Sequence, residues 1–214
     1  TADMQILASA LDTQYDAVVV AAADDGSLDL GGVDLVAIVG PTEEVPVAER
    51  EALAQYIDRG GKALLLIDPV LVGFDRTAGG PRIAVPNENS FAELAARYGV
   101  AVGGDLLFDM RSNVGVPIPY PYLMRTPVSE PTIGGNVETV VLAWAGSVGA
   151  SERQVPSLQI IPILETSAFG GQRSFAQEQA PFFDVRTETT PPYSAGELTQ
   201  RVAAVAVTGP LPAG

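Results

Sequence analysis

Two short apolar runs near the start, YDAVVVAAA (Tyr15–Ala23) and VDLVAIVG (Val33–Gly40), constrain the fold more than any other feature of the chain. They are too brief for buried helices, rich in β-branched valine, and lack the alternation of a half-exposed strand. Such runs are expected of strands buried on both faces, which is the environment of a parallel sheet. Between Val47 and Arg59, Leu53, Tyr56 and Ile57 follow helical spacing, with Pro46 suited to the helix start and Gly60-Gly61 to its end. A third strand, Lys62–Asp68 (KALLLID), closes at Pro69, and strand, helix and strand in this order predict a right-handed crossover.

The next helix is predicted at Ser90–Tyr98, where Phe91, Leu94, Ala95 and Tyr98 share a face and Gly99 terminates. Val100–Asp109 reads as a turn and a strand. Residues 111–135 carry prolines at 117, 119, 121, 127 and 131 and no helical period, so they are expected to form a long Pro-rich connection. Further strands are expected at Glu138–Trp144, Leu158–Glu165 and Arg201–Thr208, with Pro162 marking an edge or a bulge in the second. The polar stretch 170–196 breaks any regular pattern. The resulting expectation is one α/β domain over residues 1–214, a doubly wound and mostly parallel sheet with a strand-rich C-terminal extension.

Charge and residue usage narrow the chemistry. Twelve basic against 26 acidic residues give a net charge of −14, which repels a polyphosphate backbone and argues against nucleic acid. The single lysine, Lys62, offers no basic cluster for anionic lipid. No apolar run reaches the roughly 20 residues that cross a bilayer, so the piece reads as soluble, with any targeting segment either removed or lying outside this sequence. Histidine and cysteine are absent, so Ser-His-Asp and Cys-His arrangements and thiolate metal sites cannot be built, and the redox compartment is left open. No cofactor and no tight transition-metal site are expected, because only oxygen ligands remain.

What is left are candidates by position. A Ser-Lys dyad would have to use Lys62, at the wrong end of its strand. Carboxylate pairs drawn from Asp68, Glu130, Glu138 and Glu165 would suit a glycosidase if two converged. Asp24–Asp29 lacks the ligand order of a calcium loop and reads as a tight turn. Gly40-Pro41-Thr42 ends a strand ahead of a helix, where a phosphate might lie on backbone amides, but Glu43 and Glu44 favour a plain strand-ending turn. Asp68-Pro69 has the same positional status. Tyr120 and Tyr122 either anchor a partner from the Pro-rich segment or cover the edge of the core.

The stretch Val33–Pro69, with Gly40-Pro41, Gly60-Gly61 and Asp68-Pro69 in this order, resembles the gliding-motility-type auxiliary family of ABC transporters. Phe91–Asp109, Leu164-Glu165-Thr166-Ser167 and Val202–Gly209 extend the likeness over most of the chain. The resemblance implies a fold of the class I glutamine amidotransferase-like (flavodoxin-like) type, shared with intraflagellar-transport proteins. It also implies an extracytoplasmic domain tethered by membrane helices outside this chain, beside an ABC permease or other membrane subunit. Where related members carry a histidine before a proline-like turn, this chain has Ser129-Glu130-Pro131. The expected function is therefore non-catalytic binding or scaffolding, with a polysaccharide or a protein as ligand and without glutaminase activity. The alternatives are a carboxylate-based carbohydrate-active hydrolase and a domain that only holds an envelope complex together.

Overall fold

The computed structural model describes residues 9, 11–75, 80–87, 90–115, 120–174, 191 and 193–211. Its first unit follows the expected order. Strand β1 (Leu35–Val39), helix α1 (Val47–Asp58) and strand β2 (Lys62–Leu66) form a crossover in which β1 and β2 pair in parallel, Leu35 opposite Lys62 through Val39 opposite Leu66. Helix α1 buries Leu53, Ala54 and Tyr56, and Phe91 and Leu94 of helix α2 (Phe91–Arg97) join Leu53 and Ala54 in one apolar cluster. Val36, Ile38 and Leu65 pack against it from the sheet. Gly61 cannot be replaced without cost, because a Cβ there would stand 2.4 Å from the Tyr56 ring, whose hydroxyl donates to the Val33 carbonyl at 3.1 Å.

Beyond this unit the pairing changes. Strands β3 (Val70–Asp75) and β4 (Gly80–Pro86) form an antiparallel pair directly after Pro69. Strand β5 (Val100–Val102) pairs antiparallel with β10 (Val148–Ala150), and β6 (Asp105–Asp109) with β12 (Gly170–Ser174). Strand β8 (Tyr120–Pro127) lies between β7 (Asn113–Val114) and β9 (Thr139–Ala143), again antiparallel. Strand β11 (Gln159–Glu165) pairs with β13 (Val202–Thr208), and its register slips after Pro162, the bulge that this proline predicts. A four-residue helix, α3 (Pro131–Gly134), follows β8. The second apolar cluster, Val70, Leu106, Phe108 and Tyr122, sits under β6 and β8 and takes in Met110, Tyr120, Trp144 and Leu198.

Two expectations are overturned. The doubly wound, mostly parallel, amidotransferase-like (flavodoxin-like) sheet is not what forms: among the described residues β1–β2 is the only parallel pair, and the rest is short antiparallel sheets. Tyr15–Ala23 joins no ladder and stands exposed, Val19 to 95%. An apolar run records a preference for burial but not the partner strand or its direction, and α1 and α2 are too few to clothe both faces of a wound sheet. The second correction concerns residues 111–135. Their centre is β8, whose Tyr122, Met124 and Thr126 are fully buried while Arg125 and Pro127 face out. Pro121 and Pro127 fall at the two ends of the strand, where fewer ladder donors are needed; Pro117 and Pro119 lie outside the described residues.

Candidate functional site

Parallel strands deliver their carboxyl ends to one edge, and here those ends are the Gly40-Pro41 and Asp68-Pro69 turns. The two are held together. Gly40 takes φ +53 and its N–H donates to the Leu66 carbonyl at 2.8 Å, and a Cβ on Gly40 would come within 3.3 Å of Asp68 Oδ2. Asn87, just after β4, acts as the clamp: its Nδ2 donates to the carbonyls of Pro41 (2.8 Å) and Asp68 (2.9 Å), and its N–H to that of Pro69 (3.0 Å). Since both amide hydrogens are needed by carbonyls, the orientation of the side chain is fixed, which leaves Asn87 Oδ1 buried without a donor.

Asp68 opens onto a cleft of about 230 Å³ lined also by Val70, Leu71, Ala143 and Trp144. Although Asp68 keeps a solvent-exposed side, partial desolvation by its surroundings raises its carboxyl above the ordinary carboxylate value. Trp144, also in the lining, directly follows β9 at φ +51, a left-handed conformation that costs a residue with a Cβ roughly 1–2 kcal/mol. Its N–H donates to the Tyr122 carbonyl at 3.0 Å and its Nε1 to the Tyr120 hydroxyl at 3.3 Å. The turn behind it comes close because residue 146 is glycine; a Cβ there would meet Pro69 Cβ at 3.0 Å.

The candidates from sequence thus separate. Gly40, Pro41, Asp68 and Pro69 meet at one edge, and Tyr120 reaches the same cleft indirectly through the Trp144 indole. Thr42 stands exposed in the loop beyond Pro41 and takes no part. Tyr122 belongs to the core: it is completely buried, 5.7 Å from the Tyr120 ring and 6.0 Å edge-on to Phe108. Asn87 and Trp144 were not singled out from sequence. Only Trp144 carried a signal, as the single tryptophan at the end of an apolar strand.

The rival carboxylates do not converge on Asp68, which is the one acid among the described residues lining its cleft. Glu130 is held below the usual carboxylate range by the hydroxyl and N–H of Thr132, and Glu165 accepts from Ser129 Oγ at 3.4 Å. No group of three or more acids able to hold a metal occurs among the described residues. Asp24–Asp29 is the tight turn expected, closed by Ser27 donating to Asp25 Oδ1 at 2.9 Å. A larger cavity of about 730 Å³ lies at the opposite, amino-terminal ends of β1 and β2. Asp29, Asp34, Arg59 and Lys62 line it together, so it presents charges of both signs and selects no single ligand chemistry.

Over residues 2–213 the sequence matches the family described as an ABC-type uncharacterized transport system. The chain belongs to this auxiliary ABC transport family. No curated protein matches it. Among solved structures it is similar to the mmIFT52 N-terminal domain, with a TM-score of 0.51 and 19% identity over 75% of this chain and 68% of that one. A likeness at that identity speaks to the fold alone. No helix among the described residues is long and apolar enough to cross a membrane.

Proposed function

We propose that this chain is a non-catalytic binding and scaffolding domain of an ABC-type transport system, docking a membrane subunit from the extracytoplasmic side in the manner of the gliding-motility-type members. The observation that carries the reading is the family match along residues 2–213. The residue chemistry supports it. Histidine and cysteine, the usual general base and thiol nucleophile, are missing, and the described lining of the cleft at the strand ends holds a single carboxylate where a glycosidase needs two.

Co-expression with a permease and ATPase of an ABC-type transport system from the same source provides the test. The chain should be retained on the affinity-purified, detergent-solubilised permease. Loss of retention, together with turnover of a glycan by the isolated domain, would replace this reading with the hydrolase.

A further inference from the structure

We propose that the cleft between Asp68 and Trp144 binds an organic cation, the ammonium or guanidinium head of an amine. The proposal deepens the docking role above and rests on it for its biological setting, but its chemistry comes from a count of donors and acceptors. Among the described residues lining the cleft, the one side-chain donor is the Trp144 indole, and it is already engaged, as is the neighbouring Asn87 amide. Both Nδ2 hydrogens of Asn87 go to the Pro41 and Asp68 carbonyls, and the Trp144 Nε1 hydrogen goes to the Tyr120 hydroxyl. The remaining lining, Val70, Leu71 and Ala143, is apolar in its side chains. What the cleft offers is one carboxylate and one indole.

That combination discriminates among ligand classes. An anion would meet the Asp68 charge with no counter-charge, since no ion pair to Asp68 exists among the described residues. A neutral sugar presents acceptors as well as donors, and its acceptors would find no free side-chain donor among the described lining residues. An apolar group would desolvate the carboxylate further without replacing its lost water. A divalent ion needs about six oxygen ligands, and the cleft supplies a single carboxylate. An ammonium or guanidinium meets each requirement: it brings donors and positive charge to Asp68, and it is attracted to the face of an indole. Trp144, which lines the cleft, takes a left-handed backbone at a conformational cost, the kind of strain that gathers at functional sites.

Two sources share this chemistry, a lysine or arginine side chain of a partner protein and a free small amine. Trp144 is the only tryptophan in the chain, so its fluorescence reports on the cleft without labelling. The isolated domain is titrated with N-acetylarginine methylamide, with its uncharged citrulline counterpart, and with agmatine and spermidine. The expected result is a saturable change with the cationic compounds, at least tenfold weaker with citrulline, and at least tenfold weaker in Asp68→Asn. Tighter binding of the blocked arginine assigns the cleft to a protein side chain, and tighter binding of agmatine or spermidine to a free amine. Equal response to citrulline, an unchanged affinity in a folded Asp68→Asn variant, or no saturable change with any cation overturns the proposal. The citrulline comparison needs no variant, so it holds even if Asp68→Asn misfolds. Retention of the Asp68→Asn chain on the permease is scored separately, so that failure of the cation site and failure of the docking role are told apart.

Discussion

Two aspartates show how differently the same side chain can be treated. Asp109 is fully buried at the end of β6, yet its carboxylate accepts from Arg111 N (2.9 Å), Ser112 N (2.7 Å), Ser167 N (2.6 Å) and Ser167 Oγ (2.9 Å). Such a group is a structural knot, and its satisfaction repays its desolvation. No comparable set of donors reaches Asp68 among the described residues, and partial desolvation raises its carboxyl. The sign of the linkage follows. A carboxyl whose folded value lies above its unfolded one binds more protons in the folded state, so stability declines as pH rises from the unfolded value through the folded one and is then level. Asp68→Asn should therefore leave the protein slightly more stable than wild type at pH 7, with the gap closing as pH falls below the ordinary carboxylate value. Urea midpoints at pH 7 and pH 3.5 measure this, and a less stable variant at pH 7 would mean that the carboxylate has a partner in solution.

At the scale of the element, β8 is the informative case, because its interior pattern and its prolines point in opposite directions. Tyr122, Met124 and Thr126 alternate with outward residues as a strand requires, and the first of them fills the cluster of Val70, Leu106 and Phe108. Tyr122→Ser should accordingly cost about 3–5 kcal/mol, in the range of large aromatic truncations. For a domain of this length that lowers Tm by roughly 6–20 °C, readable by thermal melting followed by circular dichroism. An unchanged Tm would restore the alternative of an exposed interface ring. The alternation was present in the sequence, but five prolines outweighed it, since spacing alone does not reveal that Pro121 and Pro127 sit at strand ends. The helices were legible for the opposite reason. Pro46, Gly60 and Gly99 punctuate α1 and α2 in agreement with their apolar faces, and the boundaries fall within a residue or two of those expected. Of the site, Asp68 and the two Gly-Pro and Asp-Pro turns could be placed because strand ends follow from strand order. Asn87 could not, because its role depends on three carbonyls brought together only by the fold.

For the whole molecule, the direction of strand pairing was the least legible property, since it depends on contacts distant in sequence, whereas the charge balance was plain from composition. With 26 acidic and 12 basic residues the folded chain carries a charge of −14 on a compact surface. The ion pairs seen among the described residues, Arg50–Glu93, Arg97–Glu51 and Arg97–Asp58, are confined to α1, α2 and their immediate contact. Surface pairs of this kind contribute about 0–1 kcal/mol each, while the excess negative charge opposes compaction everywhere. Salt screens both, but the repulsion is the more extended term: the Debye length shrinks from about 10 Å at 0.1 M to about 3 Å at 1 M. Raising NaCl through this range should therefore increase Tm, and the gain should flatten once screening acts at contact distances. Replacing Arg97 with Gln separates the contributions, because it removes two of the three pairs and should leave the upward salt dependence in place. A Tm that falls with added NaCl in the wild type, and no longer does so in Arg97→Gln, would show instead that the α1–α2 ion pairs dominate the electrostatics of the fold.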